Sequence, residues 1–429
     1  MKNIFVSRIE ETDIVVIGSG SSGILASVAA ARSGNKVTIV EKYGFLGGIS
    51  TGVIDTMNGF YTIEEKPRKI VSGITDEILY RLRKEDSLLE RYNTFGTGVV
   101  ITYNQDILKC VYDDMAVESN VDIRMHTTFM DVVMEGEHIK GVIVLGREGL
   151  VQINAKIFVD ASGDADVAFK AGAPFEKAGE IAPAQTLTTT FKVGGVDYDK
   201  ALANPHSHLS NLMKEANRSG KYNLPREEGS IHITPMEGVM LAIMTKMEGF
   251  DPCDSYSLTK AEIEGRKQVR EYVRFLVDNV EGYEKAQLIG VSNQVGVRES
   301  RRIIGEYLLE KEDVISGKTF EDAIGLCGTP IEDHRGGKDT AWQFIPGGKT
   351  YQIPYRSLLP KQVSNLIVSG RCFSATHDAH ASCRSLGQTY LMGQAAGVAA
   401  AQSLDEGVVP KDISISKLQK ELIKLGSVL

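Results

Sequence analysis

The sequence predicts an α/β protein: a parallel-sheet domain assembled from both ends of the chain, with an α+β domain inserted between them. Three observations predict this. A strand, glycine turn, helix and second strand open the chain, buried-strand and small-residue-helix texture returns near its end, and residues between differ, with longer loops and a charged amphipathic helix. The expected divisions are residues 1–184 and 346–429 for the split domain and 185–345 for the insert.

Residues 13–17 form an apolar run with polar flanks, as a buried parallel strand should. The run enters Gly18-Ser19-Gly20-Ser21-Ser22-Gly23, and an alanine-rich helical stretch follows to Ser33. Gly34-Asn35 turns the chain back, residues 36–40 form the next strand, and Glu41 closes it. The three glycines act separately. Gly18 permits the tight turn, Gly20 lets backbone approach a pyrophosphate, and Gly23 allows close helix–strand packing. The helix amino terminus, entered through Ser21 and Ser22, supplies unpaired N–H groups and the positive end of its dipole. Glu41, 18 residues after Gly23, is placed to accept both ribose hydroxyls and disfavours a 2′-phosphate. The unit is Rossmann-like, and the chain is expected to bind an adenine dinucleotide.

Residues 42–52 carry four glycines within nine residues, at 44, 47, 48 and 52, and predict a loop making a second cofactor contact. Helical spacing follows over 73–84, and Asn104 reads as the N-cap of a helix presenting Ile107, Leu108, Val111, Tyr112 and Met115. Short strands at 121–125, 129–134, 139–145 and 150–153 predict a β-meander. Residues 156–166 form a strand feeding another glycine turn. In the insert, 186–193 alternates as a strand and 259–277 as an amphipathic helix. Residues 365–370 are a buried strand ending in glycine. Residues 387–401 form a small-residue helix expected to press against a sheet.

A net charge of −8 and a pI near 5.6 argue against nucleic-acid binding. No apolar run reaches membrane-spanning length, and the first residues lack a signal-peptide pattern, so a cytoplasmic location is expected. The five cysteines, at 110, 253, 327, 372 and 383, show no paired spacing, which argues against disulfide, iron–sulfur and zinc frameworks.

Two observations favour FAD over NAD: no second Gly-x-Gly-x-x-Gly occurs, and the two chain ends read as one domain able to wrap a long ligand. Residues 41–52, 158–166, 298–305, 351–355 and 365–397 resemble the FAD-dependent oxidoreductases that share their flavin fold with glutathione reductase and the fumarate reductase flavoproteins. The resemblance implies that Lys42 follows the ribose acid and that Gly47, Gly48, Ser50 and Thr51 lie along the flavin. It implies Phe129 backbone at the adenine, and Ala161, Gly163 and Asp164 beside the adenosine half. Gly370 and Arg371 are implied near the ribityl chain. Fumarate reductase flavoproteins often carry a flavin-bonded histidine in the loop occupied here by Ile49, Ser50 and Thr51, so that link does not carry over.

Gly387-Gln388-Thr389 opens the small-residue helix and is expected to face the flavin pyrimidine, where negative charge gathers on reduction. The polar loop 369–385 offers His377, His380 and Arg384 as site residues, with no metal, because no Cys or Glu completes the His-x-x-His pair. Arg298, Arg301 and Arg302 read either as an anion dock or, in slight preference, as an ion-pair network with Glu299. His334, in the glycine-flexed loop 333–337, is a second acid–base candidate, and Tyr351 is expected to line the pocket. The expected function is hydride exchange between FAD and a small polar metabolite, with a separate electron acceptor and room for an oligomer. The alternatives are an electron-transfer flavoprotein subunit and a non-redox dinucleotide-binding protein.

Overall fold

A computed structural model describes residues 6–93, 98–203, 206–334, 336 and 340–429. Its central sheet has five parallel strands: β1 (Ile14–Ile17), β2 (Val37–Val40), β3 (Asp122–Arg124), β4 (Ile157–Asp160) and β5 (Leu366–Val368), ordered β5-β4-β1-β2-β3. The two chain ends therefore complete one sheet, with Phe158 opposite Leu366. Helix α1 (Ser21–Arg32) joins β1 to β2, and α2 (Gln105–Glu118), N-capped by the Asn104 side chain as predicted, leads to β3. β1 is apolar at every position because both its faces are covered. Ile14 and Val16 join the helical core, while Val15 and Ile17 meet Val142, Val144, Val151 and Ile153 of a second sheet.

That second sheet is the predicted meander with two changes. Thr128–Glu135, His138–Gly146 and Gly149–Asn154 form it, but residues 122–124 leave it to pair in parallel with β2. Arg8–Glu11, not anticipated, adds a parallel edge strand. Local turn signals cannot tell a hairpin partner from a strand returned to a distant edge by a crossover helix.

The insert has its own antiparallel sheet: Ile231–Ile233, Met240–Ala242, Phe191–Gly194 and Gln287–Val291. Helix α3 (Ser255–Asn279), capped by Asp254, buries Val269, Tyr272, Phe275 and Leu276 against it. The packed insert is narrower than residues 185–345. Arg301–Ile303 pairs with Phe175–Lys177, Ala323–Cys327 pairs with Tyr351–Pro354, and Leu309, Val314, Ile324 and Ile345 belong to the main core. Composition does not change at that boundary; only the partner surface does.

Helices α4 (His377–Cys383) and α5 (Leu386–Glu406) end the nucleotide domain. α5 packs on β4 and β5, as expected of a small-residue helix, and its glycines add a close helix contact. A Cβ at Gly393 would lie 2.2 Å from the Ser22 carbonyl oxygen, and one at Gly397 would lie 2.2 Å from that of Ala26. α5 thus crosses α1 with backbones nearly touching. Gly393→Val is expected to lower stability by about 3 kcal/mol, the upper end for overpacking, measured by urea unfolding. Among the described residues, no helix is long and apolar enough to cross a membrane.

Candidate functional site

A cavity of about 1260 Å³ lies beyond the carboxyl ends of β1, β2, β4 and β5, roofed by the insert. Gly18, Gly20, Ser21 and Ser22 line it from the β1–α1 turn, Glu41 and Lys42 from the end of β2, and Gly48 from the loop after it. Phe129, Ala161, Gly163, Asp164, Gly370, Arg371 and Thr389 complete that side. These candidates, scattered from residue 18 to residue 389, converge because parallel strands deliver their loops to one edge.

The glycine turn behaves as its spacing predicts. Gly18 has φ +89°, and a Cβ there would sit 2.5 Å from the Ala161 carbonyl oxygen. A Cβ at Gly23 would sit 1.9 Å from the Gly18 carbonyl oxygen, so only glycine lets α1 start this close. At Gly20, by contrast, no atom of the described residues lies within 4 Å of a built Cβ. That open space, facing the uncapped amino terminus of α1, is the shape a pyrophosphate requires. Gly47 N–H donates to the Ser19 carbonyl at 2.8 Å, laying the second glycine loop along the first. Glu41 is held rigid: Ser19 N–H and Oγ donate to Oε2 at 2.9 and 2.6 Å, and Tyr43 N–H donates to Oε1 at 3.0 Å. Opposite, Arg371 donates to Asp164 Oδ1 at 2.7 Å and to Ser300 Oγ at 2.9 Å. Against its burial, Arg371 holds the Asp164 carboxyl below its usual range. An elongated cleft with a bare phosphate cradle and a fixed ribose acid fits FAD.

Several candidates lie behind the wall instead. Ser50 Oγ donates to the Gly47 carbonyl at 2.8 Å and Thr51 Oγ1 to that of Leu46 at 2.5 Å, so both hydroxyls brace their loop. Gly387 packs on Gly59, and Gln388 Nε2 donates to the Gly59 carbonyl at 2.8 Å. The first turn of α5 faces the cavity through Ser385, Leu386 and Thr389.

The catalytic candidates divide more sharply. His380 is fully buried, bonds the Arg371 carbonyl at 2.8 Å and stacks on Phe373; burial and nearby Arg302 push its pKa well down. His377 sits between Glu299 (3.0 Å) and Asp333 (3.5 Å), which, against its burial, raise its pKa to about 9. Tyr351 bonds Ser382, and Arg301 binds the Asp164 carbonyl and Asp166 while covering the Phe169 ring. None of these four lines the cavity; the polar loop folds into α4, which buries both His377 and His380. Asp333, His377 and Asp378 bring ligand-type atoms within 4.8 Å of one another, but Glu299 on His377 and Lys311 on Asp378 already balance that cluster.

His334 and Arg384 do face the cavity. His334 donates from Nε2 to Glu332 at 2.9 Å and meets Thr340 Oγ1 at Nδ1 at 3.1 Å. Burial and Arg298 push its pKa down to about 3, so it is neutral at pH 7. Arg335 and Gly337, expected in the same loop, lie outside the described residues.

Arg298 and Arg226 join them, and no motif singled out the three arginines as a group. Arg298 donates to the Thr186 carbonyl at 2.6 Å, Arg226 to the Ile243 carbonyl at 2.9 Å, and Arg384 to Gln185 Oε1 at 2.9 Å and the Glu332 carbonyl at 3.2 Å. Burial, Arg384 and Arg226 push the Arg298 pKa down to about 9, the signature of crowded like charge. Against its own burial, Glu332 is held down to about 2 by His334, Arg384 and Arg298. Arg302, by contrast, is sealed between Glu299 and Glu176, as the ion-pair reading expects. Arg91 also lines the cavity.

A family model described as FAD dependent oxidoreductase matches residues 13–422. Fumarate reductase (cytochrome) of Shewanella frigidimarina is 26% identical over 195 residues, 36% of this chain and 33% of that protein. The match therefore spans about a third of that relative's length. Mitochondrial dihydrolipoyl dehydrogenase of Dictyostelium discoideum is 41% identical over 66 residues, 14% of each chain. Among solved structures, a geranylgeranyl bacteriochlorophyll reductase-like protein from Thermoplasma acidophilum superposes with a TM-score of 0.50 at 13% identity, covering 98% of this chain and 85% of that one. A p-nitrophenol 4-monooxygenase from Pseudomonas putida gives 0.50 at 12% identity, covering 96% and 84%. These two share the fold.

Proposed function

The chain belongs to the FAD-dependent oxidoreductase family, and from that premise we propose that its substrate is a small organic anion seated on Arg226, Arg298 and Arg384. One observation carries this reading: buried guanidinium groups face the cavity, and the hydrogen bonds of Arg298 and Arg384 go to amide and carbonyl oxygens rather than to carboxylates. Bound FAD supplies the two-electron redox chemistry. The protein's part is to bind the anion, to orient it through planar guanidinium forks, and to exclude water beneath the insert. His334, neutral and tied at both ring nitrogens, positions Glu332, which in turn steadies Arg298 and Arg384.

The test is anaerobic mixing of the holoenzyme with hydroxy acids, enoates and neutral analogues while following the flavin spectrum. Carboxylates are expected to perturb or bleach it. Arg298→Met and Arg384→Met are expected to weaken that response about 30-fold or more, with FAD content unchanged. Neutral compounds acting equally on the wild type and both variants would defeat the proposal.

A further inference from the structure

Arg91 is the feature that a single anionic group leaves unexplained. It lies on the strand Leu88–Asn93, opposite Val100, which lines the same cavity. Among the described residues, its Nε is sealed from solvent without a hydrogen-bond partner, and its side-chain contact of this kind is His232 Nδ1, at a long 3.4 Å. Arg384 has the same property at the other wall: its Nε is buried and unpartnered. Buried donors of this strength are ordinarily satisfied, so two left open on one cavity point to acceptors supplied by a ligand.

The two stations sit on different elements: Arg91 is on the strand Leu88–Asn93 and reaches His232, whereas Arg298 bonds the Thr186 carbonyl and Arg384 bonds Gln185 and the Glu332 carbonyl. A lone carboxylate at the inner trio would leave Arg91 open. We infer that the substrate is an organic dianion, one oxyanion held by Arg226, Arg298 and Arg384 and the other by Arg91 between the strand Leu88–Asn93 and the insert. This rests on the anionic-substrate reading and adds the second charge. Carboxylate and phosphate share the acceptor chemistry, and the test separates them.

Calorimetric titration of the holoenzyme would use short α,ω-dicarboxylates, the monocarboxylates of equal length, and phosphate monoesters of the corresponding hydroxy acids. At least one class of dianion is expected to bind about tenfold or more tightly than the monoanion of equal length. Arg91→Met should remove that preference and leave monoanion affinity unchanged, while Arg91→Lys should keep part of it. Visible absorbance checks that each variant retains its flavin. Equal binding of mono- and dianions by the wild type, or a preference that survives Arg91→Met, would overturn the second station alone. No binding by any anion would overturn it together with the reading it rests on.

Discussion

A Gly20→Val protein is expected to fold and to be colourless. Gly20 has φ −56° and ψ 179°, extended backbone that any residue adopts, and no atom of the described residues lies within 4 Å of a built Cβ. The fold therefore loses only the difference between glycine and a β-branched residue at an N-cap, about 1 kcal/mol. The valine side chain would occupy the seat assigned to the pyrophosphate and cover the first N–H groups of α1. FAD affinity is expected to fall about a thousandfold, roughly 4 kcal/mol. The comparison is Gly23→Val, whose Cβ would overlap the Gly18 carbonyl oxygen at 1.9 Å. That protein should lose both cofactor and fold, because no rotamer relieves a clash with backbone. Visible absorbance, FAD titration of the apoprotein and thermal melting by circular dichroism separate the two. A yellow Gly20→Val protein would show that the cradle is not where the phosphates sit.

Arg302→Leu should be among the most destabilising substitutions in the chain. Arg302 is 1% exposed, donates to the Ala375 carbonyl at 2.9 Å and pairs with both Glu299 and Glu176. Its loss takes this cation from Glu176 and leaves Glu299 paired with His377, and breaking a buried pair from one side costs about 3–5 kcal/mol. His377 shares Glu299, and its contribution has a definite sign. Its folded pKa of about 9 lies above the ordinary 6.5, so it stabilises fully below pH 6.5 and loses that contribution as pH rises through 9. Wild-type unfolding free energy should therefore fall between pH 6.5 and 9 from this group. His377→Gln should flatten that part of the profile. A pH-independent wild type, or an Arg302→Leu protein as stable as the parent, would contradict the arrangement.

The opening unit is legible in the sequence because it is contiguous. β1, the glycine turn, α1, β2 and Glu41 need no distant partner to declare themselves, and each glycine has the steric reason that its spacing implies. β3 reads wrongly as a meander strand because its partner is set by α2, not by a turn. The arginine run at 298–302 shows the limit of local reading: Arg298 turns to the cavity, Arg301 to Asp166, and Arg302 into the core. No composition distinguishes these fates. Arg91 and Arg226 stand 135 residues apart with no motif around either. Histidine density in the 369–385 loop misleads for the opposite reason, since polarity there serves the packing of α4. Cys327 and Cys383, distant in sequence, are both buried free thiols, and Cys327 Sγ donates to the Ser382 carbonyl at 3.9 Å.

The β4–β5 pairing has a consequence for biogenesis. Phe158 waits for Leu366 before the sheet is complete, so a nascent polypeptide carries an open, apolar strand edge through about half of its synthesis. At about 5–20 residues per second, that interval is roughly 10–40 s. Ribosome-bound intermediates stalled before Leu366 should therefore recruit chaperones and fail to capture flavin, and cofactor loading becomes an event that follows the emergence of β5.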